Sequence, residues 1–149
     1  MALIRVVVAG AVAAVTTGGG LLLAQADDGP PAAAPLGPEP VTVVVDIEHS
    51  LFEPSYLRVE AGTEVRFVVA NGDPINHELI IGPQSVHDRH ANGTEASHPT
   101  RPGEISIGPD GQGVTSYVFD DVGTVEMACH LPGHYDFGMR GEIEVVSPD

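Results

Sequence analysis

Two stretches decide the fold: Val41-Thr-Val-Val-Val-Asp-Ile-Glu48 and Glu64-Val-Arg-Phe-Val-Val-Ala70. In the first, Val41, Val43, Val45 and Ile47 alternate with Thr42, Val44, Asp46 and Glu48; in the second, Val65, Phe67 and Val69 do the same. A period of two puts one face of a strand against a core. Working outward, residues 56–60 read as a strand with Leu57 and Val59 inward, and Ala61-Gly62-Thr63 turns it into the strand at 64–70. Residues 78–81 form a fourth strand, and after a long insertion 104–108, 114–119, 124–129 and 141–146 supply four more. No helical periodicity of useful length interrupts them. Seven to eight short strands punctuated by Gly, Pro and Asp predict an all-β protein, a Greek-key β-sandwich. The chain has no Trp and few aromatic residues, so its core is expected to be aliphatic.

The 149 residues leave room for one domain of ordinary size once the N-terminus is set aside. Residues 1–26 read as an export signal: Arg5 supplies a short positive region, 6–15 are apolar, and Ala24-Gln25-Ala26 is a small-x-small cleavage site. The competing reading is a retained membrane anchor, because the apolar stretch approaches the ~20 residues that span a bilayer. Thr16, Thr17, Gly18, Gly19 and Gly20 interrupt that stretch and favour removal, which places the protein in the periplasm or outside the cell. Residues 27–40 are rich in Pro and Ala and are expected to form an extended linker, with the folded domain at 41–149. The formal net charge is −15, and all the basic residues are Arg. Such a surface repels nucleic acid and anionic lipid and favours a basic partner.

The chemistry is concentrated in Cys129-His-Leu-Pro-Gly-His134-Tyr-Asp-Phe-Gly-Met139, which holds the only cysteine. In an exported protein a lone Cys has no internal disulfide partner, and its thiol is a hazard unless something occupies it. The bland reading, a small buried hydrophobe, competes with metal ligation. The nearby His134 and Met139 favour ligation, and a thiolate, an imidazole and a thioether make a soft, mixed set that suits copper better than zinc, calcium or magnesium. A fourth ligand must come from elsewhere. His77 follows the alternating run at 64–70 and the turn Asn71-Gly72-Asp73-Pro74, so it stands at a strand end and is the best candidate. Two His, one Cys and a weak axial Met are the ligands of an electron-transfer copper site.

From Val41 to Val146 the chain resembles the cupredoxins, the blue-copper proteins that include plastocyanin, azurin and rusticyanin. The likeness rests on Phe52-Glu-Pro-Ser-Tyr-Leu57 leading to Gly62, on His77-Glu-Leu, and on the Cys129 loop with its Cys-x4-His-x4-Met spacing, which looks most like rusticyanin. The resemblance implies one type 1 Cu(I)/Cu(II) ion with His77, Cys129 and His134 as strong equatorial ligands and Met139 as the long axial one. It also implies an electron exit at His134, through an apolar patch of Leu131, Pro132, Tyr135 and Phe137 with Pro74 and Ile75 nearby. One position departs from the family: plastocyanin and azurin carry Asn after the first ligand histidine, where it ties the ligand loops together, and here that residue is Glu78. The backbone N–H of Glu78 can still serve the sulfur, but the family's reduction potential does not carry over.

The expected function is that of an exported, monomeric one-electron carrier, with a cytochrome or oxidase-like redox partner docking near His134. The alternative is copper binding or delivery in copper homeostasis. An enzyme is not expected. His130 beside the cysteine resembles the arrangement in multicopper oxidases, but the His-x-His pairs and second domain of those enzymes are missing. In the insertion, His87, His90 and His98 with Asp88 and Glu95 permit a second metal site at the surface, weighed against a solvated polar loop, which is favoured.

Overall fold

The computed structural model describes residues 34–37, 40–93 and 97–148. The proposed export signal therefore lies outside the described residues, among which no helix is long and apolar enough to cross a membrane. Among the described residues nine strands run β1 Val41–Glu48, β2 Leu51–Glu53, β3 Tyr56–Glu60, β4 Thr63–Asn71, β5 His77–Gly82, β6 Glu104–Ile107, β7 Gln112–Phe119, β8 Gly123–Ala128 and β9 Arg140–Val146. They form two sheets, β2-β1-β4-β7 and β3-β9-β8-β5-β6, packed as an all-β sandwich. The strand beyond the expected seven to eight is β2, three residues paired back on the end of β1. Three residues are too few for an alternation to be read.

Both diagnostic stretches lie side by side in parallel, with Val43 opposite Phe67 and Val45 opposite Val69. Their alternate residues Val45, Ile47, Val65, Phe67 and Val69 are wholly buried. Each such side chain contributes about 1.5–3 kcal/mol of burial free energy, so this pair of strands anchors one half of the core. The other sheet contributes Leu79, Ile81, Met127, Ile143 and Val145.

Two expectations are corrected. The stretch at 27–40 does not lie free throughout: Leu36 donates its N–H to Arg58 O and accepts from Glu60 N–H, and its side chain packs against the core. β3 is an edge strand whose open N–H and C=O groups need partners, and a single Leu between Pro35 and Gly37 provides them. The insertion is likewise not a solvated loop. It carries a helix, α1 Gln84–Ala91, and both His87 and His98 are buried.

α1 explains an oddity of β5, all six of whose residues are buried. His77, Leu79 and Ile81 face the sandwich interior, while Glu78 and Ile80 face outward beneath the insertion. A strand covered on both sides loses its alternation of exposure, although its side chains still alternate in direction.

Candidate metal centre

Strand register sets the distance between the two halves of the site. Ile80 pairs with Ala128, and Ala128 with Arg140, so β5, β8 and β9 hold His77, Cys129 and Met139 at one end of the sandwich. The loop between β8 and β9 is tied to itself by the backbone. Cys129 N–H donates to Met139 O at 3.0 Å, Met139 N–H to His134 O at 3.0 Å, and His134 N–H to Leu131 O at 3.0 Å. A one-turn helix, α2 His134–Phe137, sits between Gly133 (φ 84°) and Gly138 (φ 111°), where the left-handed backbone favours glycine. This turn aims the His134 ring back at the cysteine.

His77 Nδ1 lies 3.1 Å from His134 Nδ1, and Cys129 Sγ lies 3.3 Å from the same nitrogen. One donor atom from each of His77, Cys129 and His134 falls within 4.8 Å of the other two. Cys129, His77 and Met139 are buried, and His134 is half-buried. The fourth expected ligand, Met139, packs in the same core cluster as Cys129.

The sequence reading missed the carboxylate behind His77. Asp73 Oδ2 accepts from His77 Nε2 at 2.9 Å, and its two oxygens also take the N–H groups of His49 and Ser50 at 2.8 and 2.7 Å. Burial raises the Asp73 pKa, but the hydrogen bonds from Ser50, His49 and His77 outweigh it, and the carboxyl sits below its ordinary value. With Nε2 donating to Asp73, His77 Nδ1 carries a lone pair aimed at His134. A carboxylate behind the distal nitrogen of a metal-binding histidine fixes tautomer and ring orientation in this way. His77 Nδ1 and His134 Nδ1 at 3.1 Å share a proton in the metal-free protein, and with that proton removed their two lone pairs fit a soft or borderline metal ion.

Burial shifts the protonation of both donors carried by the Cys129 loop. It pushes the Cys129 thiol up to about 11, with backbone N–H bonds from Glu78 and Leu131 opposing and the Glu78 carboxylate adding to the rise. The expected contact from the Glu78 backbone to the sulfur is therefore present. Burial, followed by repulsion from His77, lowers His134, and Asp73 offsets part of that. Burial thus favours the neutral ring of His134. Glu78 ties the loops through its side chain as well, because Oε1 accepts the His130 N–H at 2.8 Å.

Fold and site together define a copper-binding β-sandwich protein. The profile of the copper binding proteins of the plastocyanin/azurin family matches residues 40–146. The chain belongs to that family, and copper is its metal. It is 34% identical over 97 residues to a protein named copper-resistant cuproprotein CopI from Rubrivivax gelatinosus, a match covering 63% of this chain and 59% of that one. A protein of the same name from Pseudomonas aeruginosa is 25% identical over 127 residues, covering 63% of this chain and 70% of its own. Among solved structures, reduced auracyanin from Roseiflexus castenholzii superposes with a TM-score of 0.58 at 20% identity, covering 70% of this chain and 96% of that one.

Proposed function

We propose that the protein is an exported type 1 copper protein working in copper resistance, and that it acts there as a one-electron carrier. In this reading His77, Cys129 and His134 would hold the ion, with Met139 as a weaker fourth donor. The observation that carries it is the convergence of three donor atoms held from behind by Asp73 and by the backbone bonds of the Cys129 loop. A bound copper ion would supply one-electron chemistry; the chain's part is to keep the donor geometry fixed. Asp73 prevents the His77 ring from turning, and the Cys129–Met139 and Met139–His134 backbone bonds keep the loop from opening. Rigid ligands need little rearrangement between oxidation states, which is what a carrier requires and a simple store does not.

The surface over His134 supports docking at that end. Phe137 and Ile75 are exposed, with Pro132 and Pro74 beside them. A small apolar patch on an acidic protein suits a brief encounter with a redox partner carrying basic groups around its own cofactor edge.

The names of the two relatives favour a second reading in which the ion itself is the cargo, bound for sequestration or delivery. Protein-film voltammetry and chelator challenge separate the two. A reversible one-electron wave with copper retained against a chelator supports the carrier, whereas absence of a wave with ready copper loss refutes it in favour of delivery.

A further inference from the structure

Alternation along the strands creates a second set of donors directly behind the first. His77 and Cys129 face the interior, so their neighbours Glu78 and His130 face outward beneath α1. On that outer side Glu78 Oε2 lies 3.5 Å from His90 Nδ1 and 3.9 Å from His98 Nε2. One donor atom from each of the three residues falls within 4.8 Å of the others. A tetrahedral ion with bonds of about 2.0–2.2 Å separates its ligand atoms by roughly 3.3–3.6 Å, so the set needs only a small contraction to close on a metal.

Hydrogen bonding fixes which atoms carry lone pairs. His90 Nε2 lies 2.8 Å from Glu104 Oε2 and must donate to it, which leaves Nδ1 unprotonated and turned to Glu78. His98 Nδ1 lies 3.0 Å from the Pro99 carbonyl and must donate there, which leaves Nε2 bare. That Nε2 is buried without a hydrogen-bond partner. Glu78 is held in place by the His130 N–H on its other oxygen. The side chains of Glu78, His90 and His98 are only 2%, 6% and 0% exposed. A hydrogen on His90 Nδ1 would serve Glu78 but leave the buried His98 Nε2 without a partner. A divalent cation satisfies all three at once.

We propose that Glu78, His90 and His98 form a second, buried site for a first-row divalent cation of borderline softness. Copper(II) heads the order of affinity for imidazole and carboxylate donors. Glu104 is a positioning residue: held by Arg89, it orients His90 from behind as Asp73 orients His77. This inference does not depend on whether the first centre carries electrons or delivers copper.

The test is titration of the metal-free full chain with Cu(II), and separately with Zn(II), read by bound-metal analysis, visible absorption and EPR. Two equivalents of Cu(II) are expected, one giving the thiolate charge-transfer band and one the wide hyperfine splitting of copper without a thiolate. Cys129→Ser should lose the band and keep the second equivalent. His90→Ala and His98→Ala, which touch none of His77, Cys129 and His134, should each lose the second equivalent with the band intact, which also shows that they fold. Glu104→Gln should weaken the second ion about 10- to 100-fold and leave the first unchanged. A second equivalent taken up as Zn(II) but not Cu(II) would overturn the ranking of metals. A single equivalent of either metal in the wild type, or a second that survives both His90→Ala and His98→Ala, would overturn the site.

Discussion

Replacing Asp73 by Ala removes one carboxylate that serves the proposed ligand His77 and two backbone N–H groups of the turn before β2. The two effects fall on different measurements. Losing the charged bond to His77 frees the ring to choose the wrong tautomer, and such partners of metal-bound histidines are worth about 10- to 100-fold in metal affinity. That range equals about 1.4–2.7 kcal/mol, in line with about 1.5–3 kcal/mol for a hydrogen bond to a charged group. Competition for Cu(I) with a chromophoric chelator should therefore show copper held 10- to 100-fold more weakly. The His49 and Ser50 N–H groups lie near the surface and turn to water, so the metal-free protein should lose only about 1 kcal/mol in urea denaturation. Copper affinity within twofold of wild type, with the charge-transfer band unmoved, would refute the claim that Asp73 sets the His77 tautomer.

Other outcomes follow from the same geometry. His134→Ala should leave the circular dichroism of the sandwich unchanged and abolish the charge-transfer band; a mutant that keeps the band removes His134 from the ligand set. Because the Cys129 thiol titrates near 11, copper binding must displace its proton, and apparent affinity should rise about tenfold per pH unit through neutral pH, as read by chelator competition. The folded thiol holds its proton more tightly than the unfolded one, so this contribution to metal-free stability is intact below pH 9.0 and is lost as the pH rises to about 11. Denaturation midpoints should record a loss of about 3 kcal/mol across that window, two pH units at about 1.4 kcal/mol each, and Cys129→Ser should remove the slope. Phe67→Ala should cost about 3–5 kcal/mol by urea unfolding, since the ring is wholly buried between the sheets. Gly138→Ala has open space for its methyl group, so its cost of about 1–2 kcal/mol comes from the left-handed backbone alone and should appear in thermal melts.

The sandwich was legible because strands such as β1 and β4 bury one face and expose the other, and a period of two survives in the order of residues. The Cys129 loop was legible because three metal-binding side chains stand close in sequence, and His77 because a turn and a strand end bracket it. What escaped was whatever depended on a partner distant in the chain. Asp73 sits in Asn-Gly-Asp-Pro, a turn signal whatever its side chain does, and only the return of β5 reveals the histidine it holds. α1 shows no apolar stripe because the side chain it buries is His87 rather than a hydrophobe, so hydrophobic periodicity is blind to it. Leu36 is one apolar residue among prolines, and its pairing with β3 leaves no repeating pattern to detect.

The backbone of β5 couples the fates of its two faces. Deleting or inserting one residue between His77 and Gly82 would turn imidazole outward and carboxylate inward, exchanging both donor sets in a single step. Inside the strand residue identity is therefore open to change and residue number is not, and the neighbouring connections are held as well by Asp73 on one side and by His90 and His98 on the other. A shift that repositions the donors on one side repositions those on the other by the same step.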